Sequence, residues 1–310
     1  MVQDTLLSAI VGSPRHTALL DYFMLAKKVE GRSPRTLGWY QDGVGDFNQF
    51  CLSNGLDPAP HNVRPQDVRA WLADLQNRLL SKTTINDRFR ALRVFFNWCV
   101  AEEILDKSPL RNIRTPSIGK RVVPVFSQDH IRAMLYLCPP STWWGARDRA
   151  IILTLLHTGV RLSELLGLQI TDIDFPRDQI KVKGKGDKEP RIYLSPECQK
   201  AILRYLRHRT DDLPSLWVSK NGMPLGWEGV RQVINRLGKR AGICDVRCSP
   251  HTFRHTFAVS FLKAGGDLRH LQEIMGHTSM KPLEMYLRTV NADDAIQVHR
   301  QITPFKGWKL

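Results

Sequence analysis

The chain has 310 residues, 42% of them hydrophobic, and carries 45 Lys+Arg against 30 Asp+Glu for a formal charge of +15. That length fits two domains with ordinary cores rather than a disordered or fibrous chain, and the cationic surplus favours a polyanionic partner. No apolar run approaches the roughly 18 to 20 residues of a membrane span, no basic residues precede the apolar N-terminal patch as they would in a signal peptide, and cysteines without framework spacing fit a reducing compartment.

The first predicted helix, in SPRHTALLDYFMLAKKVEG, opens on Ser13-Pro14 and closes at Gly31, with Leu19, Leu20, Phe23 and Met24 at helical spacing. Ser33-Pro34 repeats the start signal for a second helix ending at Gly55, with Gly43 and Gly45 weakening its middle. A third helix is expected over RPQDVRAWLADLQNRLLS, and a fourth from near Thr83 carries Leu92, Phe95, Phe96 and Val100. These form a compact four-helix unit. Its basic stripe, Lys82, Arg88, Arg90 and Arg93, suits a phosphate backbone as well as it suits a solvated face. The following stretch, KSPLRNIRTPSIGKRVVP, has prolines, basic residues that include Lys120 and Arg121, and no periodicity. Residues 115–124 therefore read as a basic linker between an N-terminal domain over 1–114 and a second over 125–310.

The second domain starts with a helix from Ser127 and another from about Asp148 to His157. The period then changes: Ile180 and Val182, followed by Ile192 and Leu194, alternate around Gly-Lys-Gly-Asp, which reads as a β-hairpin with Lys185 at its tip. Helices resume near Pro196, Trp227, Ser249, Asp267 and about Pro282, so the fold class is mostly α with a small antiparallel sheet.

Four stretches carry chemistry. In SPHTFRHTFAV, Ser249 caps a helix with Pro250 at its first position. His251, Arg254 and His255 then share one face beside free N-terminal N–H groups, an arrangement suited to phosphate. Cys244 and Cys248 stand just upstream, but only two residues separate the cysteine pair from the histidine pair, too few for a zinc-finger hairpin, so no metal is assigned. In LHTGVRLSELLGL, Gly159 ends one helix, Ser163 is expected to cap the next, and Arg161 sits in the turn between them. Lys185 at a hairpin tip can swing into a site; the stretch is not a P-loop. In IMGHTSMKPLEMYLRTV, His277 follows Gly276 at a turn, and Tyr286 lies on the last helix, where core packing is the ordinary role of a tyrosine.

Taken in order, TGVRLSELLGL, GKGDK, HTFRHTFA and MGHTSMKPLEMYLR resemble the tyrosine recombinase (phage integrase) family, its Xer-like and transposon-borne members in particular. The N-terminal helices and basic linker look like the family's SAM-like core-binding domain, so the resemblance spans nearly the whole chain. Phe253 stands where leucine is commoner, and KPLEMYLR replaces a polar run before the tyrosine. The resemblance implies a C-shaped clamp on duplex DNA and strand exchange through a 3′-phosphotyrosyl intermediate. Tyr286 would be the nucleophile, Lys185 the general acid, His251 the base, and Arg161, Arg254 and His277 the phosphate ligands, with Glu164 and His255 orienting them from behind. Because the covalent link stores the phosphodiester energy, neither ATP nor metal is needed and no cofactor is implied. It further implies an inverted-repeat DNA site holding a homodimer, a tetramer at synapsis, accessory proteins in some systems, and a cytoplasmic, nucleoid-associated location. The tail over 291–310, with Ala295, Ile296, Val298, Ile302, Phe305 and Trp308, is expected to dock on a neighbouring protomer. A type IB topoisomerase-like relaxing enzyme and a non-catalytic DNA-binding protein of the same fold are the competing readings.

Overall fold

The computed structural model describes residues 15–115, 123–183, 190–277, 279–287 and 289. Lys120, Arg121, Lys185, the Ser13-Pro14 start and the tail over 291–310 lie outside the described residues. The chain divides into two compact units between Lys120 and Arg121. Among the described residues no helix is long and apolar enough to cross a membrane.

Among the described residues the first unit has four helices: α1 (Arg15–Val29), α2 (Pro34–Ser53), α3 (Pro65–Asn77) and α4 (Lys82–Ala101). Serine caps set two of the starts, with Ser33 Oγ accepting from the Thr36 N–H and Ser81 Oγ from the Thr84 N–H. Phe23, Phe47, Trp71, Phe89 and Phe96 fill the core, with Phe47 and Trp71 meeting edge to face at 5.4 Å. Gly43 does not weaken α2. A Cβ there would lie 2.5 Å from the Ala91 Cβ, so the bare backbone is what lets α2 pack against α4. Arg88 departs from the exposed stripe expected of it: it is half-buried and pairs at 2.8 Å with Asp46, which also accepts from Trp71 Nε1 at 2.9 Å. Lys82, Arg90 and Arg93 are exposed, Arg93 lying over the Phe89 ring and donating to the Ile113 carbonyl.

The second unit begins with α5 (Gln128–Tyr136) and α6 (Trp143–Thr158). The latter starts before the Asp148 expected from sequence, because Thr142 Oγ1 caps the Gly145 N–H and Gly145 lies against the Pro139 backbone, where a Cβ would be 2.0 Å from the carbonyl oxygen. After α7 (Leu162–Gly167) a three-stranded antiparallel sheet runs in the order β1 (Ile173–Asp174), β2 (Gln179–Lys181), β3 (Arg191–Tyr193), with Ile180 opposite Ile192. The alternation read from sequence holds, since Ile180, Val182, Ile192 and Leu194 are all buried. Then come α8 (Pro196–Arg207), α9 (Trp227–Arg240), α10 (Pro250–Lys263), α11 (Leu268–Ile274) and α12 (Glu284–Leu287). The helix expected from about Pro282 starts at Glu284, and its described residues run to Leu287.

Two apolar clusters fix the helices that matter for the site. One joins Ile151 and Leu155 of α6 to Phe253 of α10. The other packs Ala258, Val259 and Leu262 of α10 against Leu271 of α11, Leu283 and Tyr286. Each valine, leucine, isoleucine or phenylalanine among them removed from water contributes roughly 1.5–3 kcal/mol, so together they hold α10 firmly between its neighbours.

Candidate active site

Gly159 closes α6 in the left-handed region, with φ +61°, and its Cβ would fall 2.3 Å from Phe257. The chain then turns so that Arg161 itself, not Ser163, occupies the cap position of α7. Arginine has no acceptor to offer the free N–H groups; Glu164 does the capping instead, accepting from the Arg161 backbone N–H at 2.7 Å and from its Nη1 at 2.6 Å. Arg161 Nη2 donates to the Gly276 carbonyl at 3.2 Å, leaving a guanidinium oriented by two partners yet 36% exposed.

Ser249 caps α10 as the sequence predicts, its Oγ accepting from the Thr252 N–H at 3.2 Å. Arg254 is only 4% exposed. Its Nη1 donates to the Gly159 carbonyl at 2.7 Å and its Nη2 to the Met275 carbonyl at 2.7 Å. The second nitrogen also lies 2.9 Å from His277 Nε2. Burial, then Arg161, pulls the Arg254 pKa down to about 10, so it remains charged at neutral pH. A cationic donor requires the His277 nitrogen to accept, and burial together with Arg254 and Arg161 holds His277 neutral by lowering it to about 4.

Arg161 and Arg254 are thus anchored on the consecutive carbonyls of Gly276 and Met275, two like charges side by side with His277 on the same turn. Such a pair is costly without an anion and well suited to one. His251 is exposed on the first turn of α10, and partial burial with Arg254 and Arg161 lowers its pKa.

Tyr286 is 4% exposed, packed in the α10–α11–α12 cluster, and burial raises its phenol while Arg254 opposes that shift. Its hydroxyl lies 2.9 Å from His255 Nδ1. This differs from the sequence-based expectation, which put His251 at the tyrosine and His255 behind it. The reason is where α12 lands: it seats Tyr286 against the side of α10 that carries His255, one turn on from His251, whose ring stands edge-on to that of His255 at 5.4 Å between centroids. The structure therefore brings together Arg161, Glu164, His251, Arg254, His255, His277 and Tyr286. The carbonyls of Gly159, Met275 and Gly276, which orient both arginines, have no signature in side-chain sequence. Cys248 packs on Gly238 and its thiol is directed at the Val246 carbonyl; among the described residues no group of three or more His, Cys, Asp or Glu is placed to hold a metal ion.

Chemically, the arrangement sets two fixed guanidiniums and neutral imidazoles beside a phenol, a donor set that suits an anion. The phage integrase family matches residues 124–292, and a phage integrase N-terminal SAM-like domain matches residues 19–106. The tyrosine recombinase XerC of Staphylococcus haemolyticus is 32% identical over 278 residues, covering 87% of this chain and 91% of its own. XerC of Pelotomaculum thermopropionicum is 30% identical over 301 residues, covering 92% of this chain and 97% of its own. Among solved structures, the XerA recombinase is 28% identical with a TM-score of 0.51, covering 92% of this chain and 98% of that one. The Tn1549 transposon integrase in complex with circular intermediate DNA shares the fold at 22% identity and a TM-score of 0.71, covering 90% and 98%.

Proposed function

The chain belongs to the phage integrase family of tyrosine recombinases, and from that premise we propose that Tyr286 attacks a phosphodiester of duplex DNA to give a 3′-phosphotyrosyl link, which a 5′-hydroxyl of the partner duplex then resolves. As a site-specific recombinase the enzyme breaks and rejoins DNA in integration, excision or resolution of a mobile element or replicon. The observation that carries the mechanism is the anchoring of Arg161 and Arg254 on adjacent carbonyls, with His277 against Arg254 and the phenol on α12. Charge accumulates on the non-bridging oxygens of phosphorus in the transition state, and donors fixed in advance stabilise it there. Glu164 orients Arg161, His251 reaches the phosphate from the first turn of α10, and Lys185 protonates the leaving 5′-oxygen.

Lys82, Arg90 and Arg93, together with Lys120 and Arg121 of the basic linker sequence, hold the duplex backbone, while the half-buried Arg88 supports its unit through Asp46. Two protomers occupy an inverted-repeat site and four form the synapse in the cytoplasm, with the tail over 291–310 bridging neighbours. No cofactor takes part in this scheme.

The test is capture of covalent protein–DNA adducts under denaturing conditions from cells making the parent or Tyr286→Phe, with EDTA present, followed by sequencing of the attached ends. Parent-only adducts sharing one inverted repeat support the reading; equal adducts in both remove Tyr286 from the chemistry. Two duplexes bearing the recovered repeat then separate recombination from type IB relaxation, since a recombinase joins them to each other and a relaxing enzyme acts on any supercoiled plasmid.

A further inference from the structure

A phenol near neutral pH needs a partner that takes its proton as it attacks, and that partner must lie within hydrogen-bond reach of the hydroxyl, about 2.6–3.2 Å. Of the site histidines, His277 presents Nε2 to Arg254, and His251 is exposed with its ring edge-on to that of His255. His255 Nδ1 meets the Tyr286 hydroxyl at 2.9 Å, held there because both residues belong to helices locked in one apolar cluster.

Resting on the reading of Tyr286 as nucleophile, we infer that His255 is the general base of strand cleavage, taking the phenolic proton on Nδ1 while Tyr286 Oη attacks phosphorus. The bookkeeping of the step is closed. The Oη–P bond forms as the P–O5′ bond breaks, the phenolic proton passes to His255, and the leaving 5′-oxygen takes a proton from Lys185. On rejoining, the incoming 5′-hydroxyl loses its proton as it attacks phosphorus, and the departing phenolate recovers one from His255. No redox partner or co-reactant enters.

The surroundings suit that role in a way that couples it to DNA. His255 must be neutral with its proton on Nε2, leaving the Nδ1 lone pair for the phenol. Burial, then His251 and Arg254, keeps it neutral by lowering its pKa to about 4. In the free protein so weak a base leaves the buried phenol protonated. A phosphate seated on Arg161 and Arg254 offsets the guanidinium charge that contributes to the depression, so the imidazole becomes more basic only when the scissile phosphate is in place. The groups facing the pair are His251 and Arg254 from α10, with Tyr286 itself from α12. His251, exposed and in the first turn, is left to contact the phosphate.

The experiment uses the full-length protein on a nicked duplex that carries the inverted repeat recovered from parent adducts, and reads the single-turnover rate of covalent adduct formation together with DNA binding. His255→Asn places an amide oxygen near the Nδ1 position, so it accepts the hydrogen bond without accepting the proton. His255→Ala removes both functions. General base catalysis predicts that both variants bind DNA like the parent and cleave about 10²-fold or more slowly. It also predicts that a 5′-bridging sulfur at the scissile position, whose thiolate leaves without an acid, rescues Lys185→Ala but neither His255 variant. Asn cleaving within about threefold of the parent, or Ala cleaving as fast or faster, would overturn the assignment; the second result would make the contact a latch on a resting tyrosine. Parent and Tyr286→Phe on the same duplex report on the underlying reading: a parent that forms no adduct overturns both.

Discussion

Arg254 on α10 donates to the Gly159 carbonyl at 2.7 Å, joining residues 95 positions apart in the chain. Through this bond the glycine that ends α6 and the buried arginine of α10 become one structural unit. The turn geometry at Gly159 consequently sets the position of the guanidinium.

Gly159→Ala should test that coupling. Alanine at φ +61° costs about 1–2 kcal/mol for the left-handed backbone alone. The added Cβ would also be 2.3 Å from Phe257. Expected outcomes are a lower midpoint in thermal unfolding and slower cleavage, because relief of the clash shifts the acceptor of Arg254. Parent-like values for both would contradict the argument.

Arg254→Lys retains a cation but cannot reach both the Gly159 and Met275 carbonyls with one ammonium group and still present a fork to phosphate. Cleavage should fall by roughly 10²–10³-fold, the effect of losing one fixed transition-state donor. Gel-shift affinity should stay within about twofold, because many phosphates share the binding energy.

Acid should destabilise the fold through two histidines. His255 and His277 are lowered to about 4 in the native state, against about 6.5 in an unfolded chain. Between those values the unfolded chain binds more protons than the folded one, so stability is in place above about 6.5 and is lost as pH falls toward about 4. Urea unfolding across that window should show the decline, and His255→Gln combined with His277→Gln should flatten its slope. An unchanged slope would contradict the proposed protonation states.

Among the basic residues of α4, substitutions should separate into two classes. Arg88→Ala leaves Asp46 without one of its two arginine partners and should lower stability first. Lys82→Ala and Arg90→Ala touch exposed side chains and should leave stability unchanged while reducing the salt dependence of DNA binding by about one phosphate each. Thermal unfolding beside a salt titration of binding distinguishes the classes.

Much of this was legible in local chemistry. Ser33-Pro34 and Ser249-Pro250 announce their helices because capping is a short-range interaction, and the alternation of Ile180, Val182, Ile192 and Leu194 announces the hairpin because one face is buried. What escaped depends on contacts distant in sequence. Gly43 reads as a weak point until α4 packs on it, Arg88 reads as surface until Asp46 is seen beside it, and Glu164 caps α7 where Ser163 was expected. Motif order named Arg161, Arg254, His277 and Tyr286 together, and the structure brings these four into one place; the pairing of His255 with Tyr286 did not follow from it, because helical spacing puts His251 and His255 on one face without saying which of them α12 will meet.

The most direct measurement is tandem mass spectrometry of the parent's covalent adduct after exhaustive nuclease and protease digestion. The account predicts a nucleotide 3′-phosphate on the peptide containing Tyr286, with fragment ions placing it on the phenolic oxygen. A nucleotide found on any other residue, or joined through a 5′-phosphate, would contradict it.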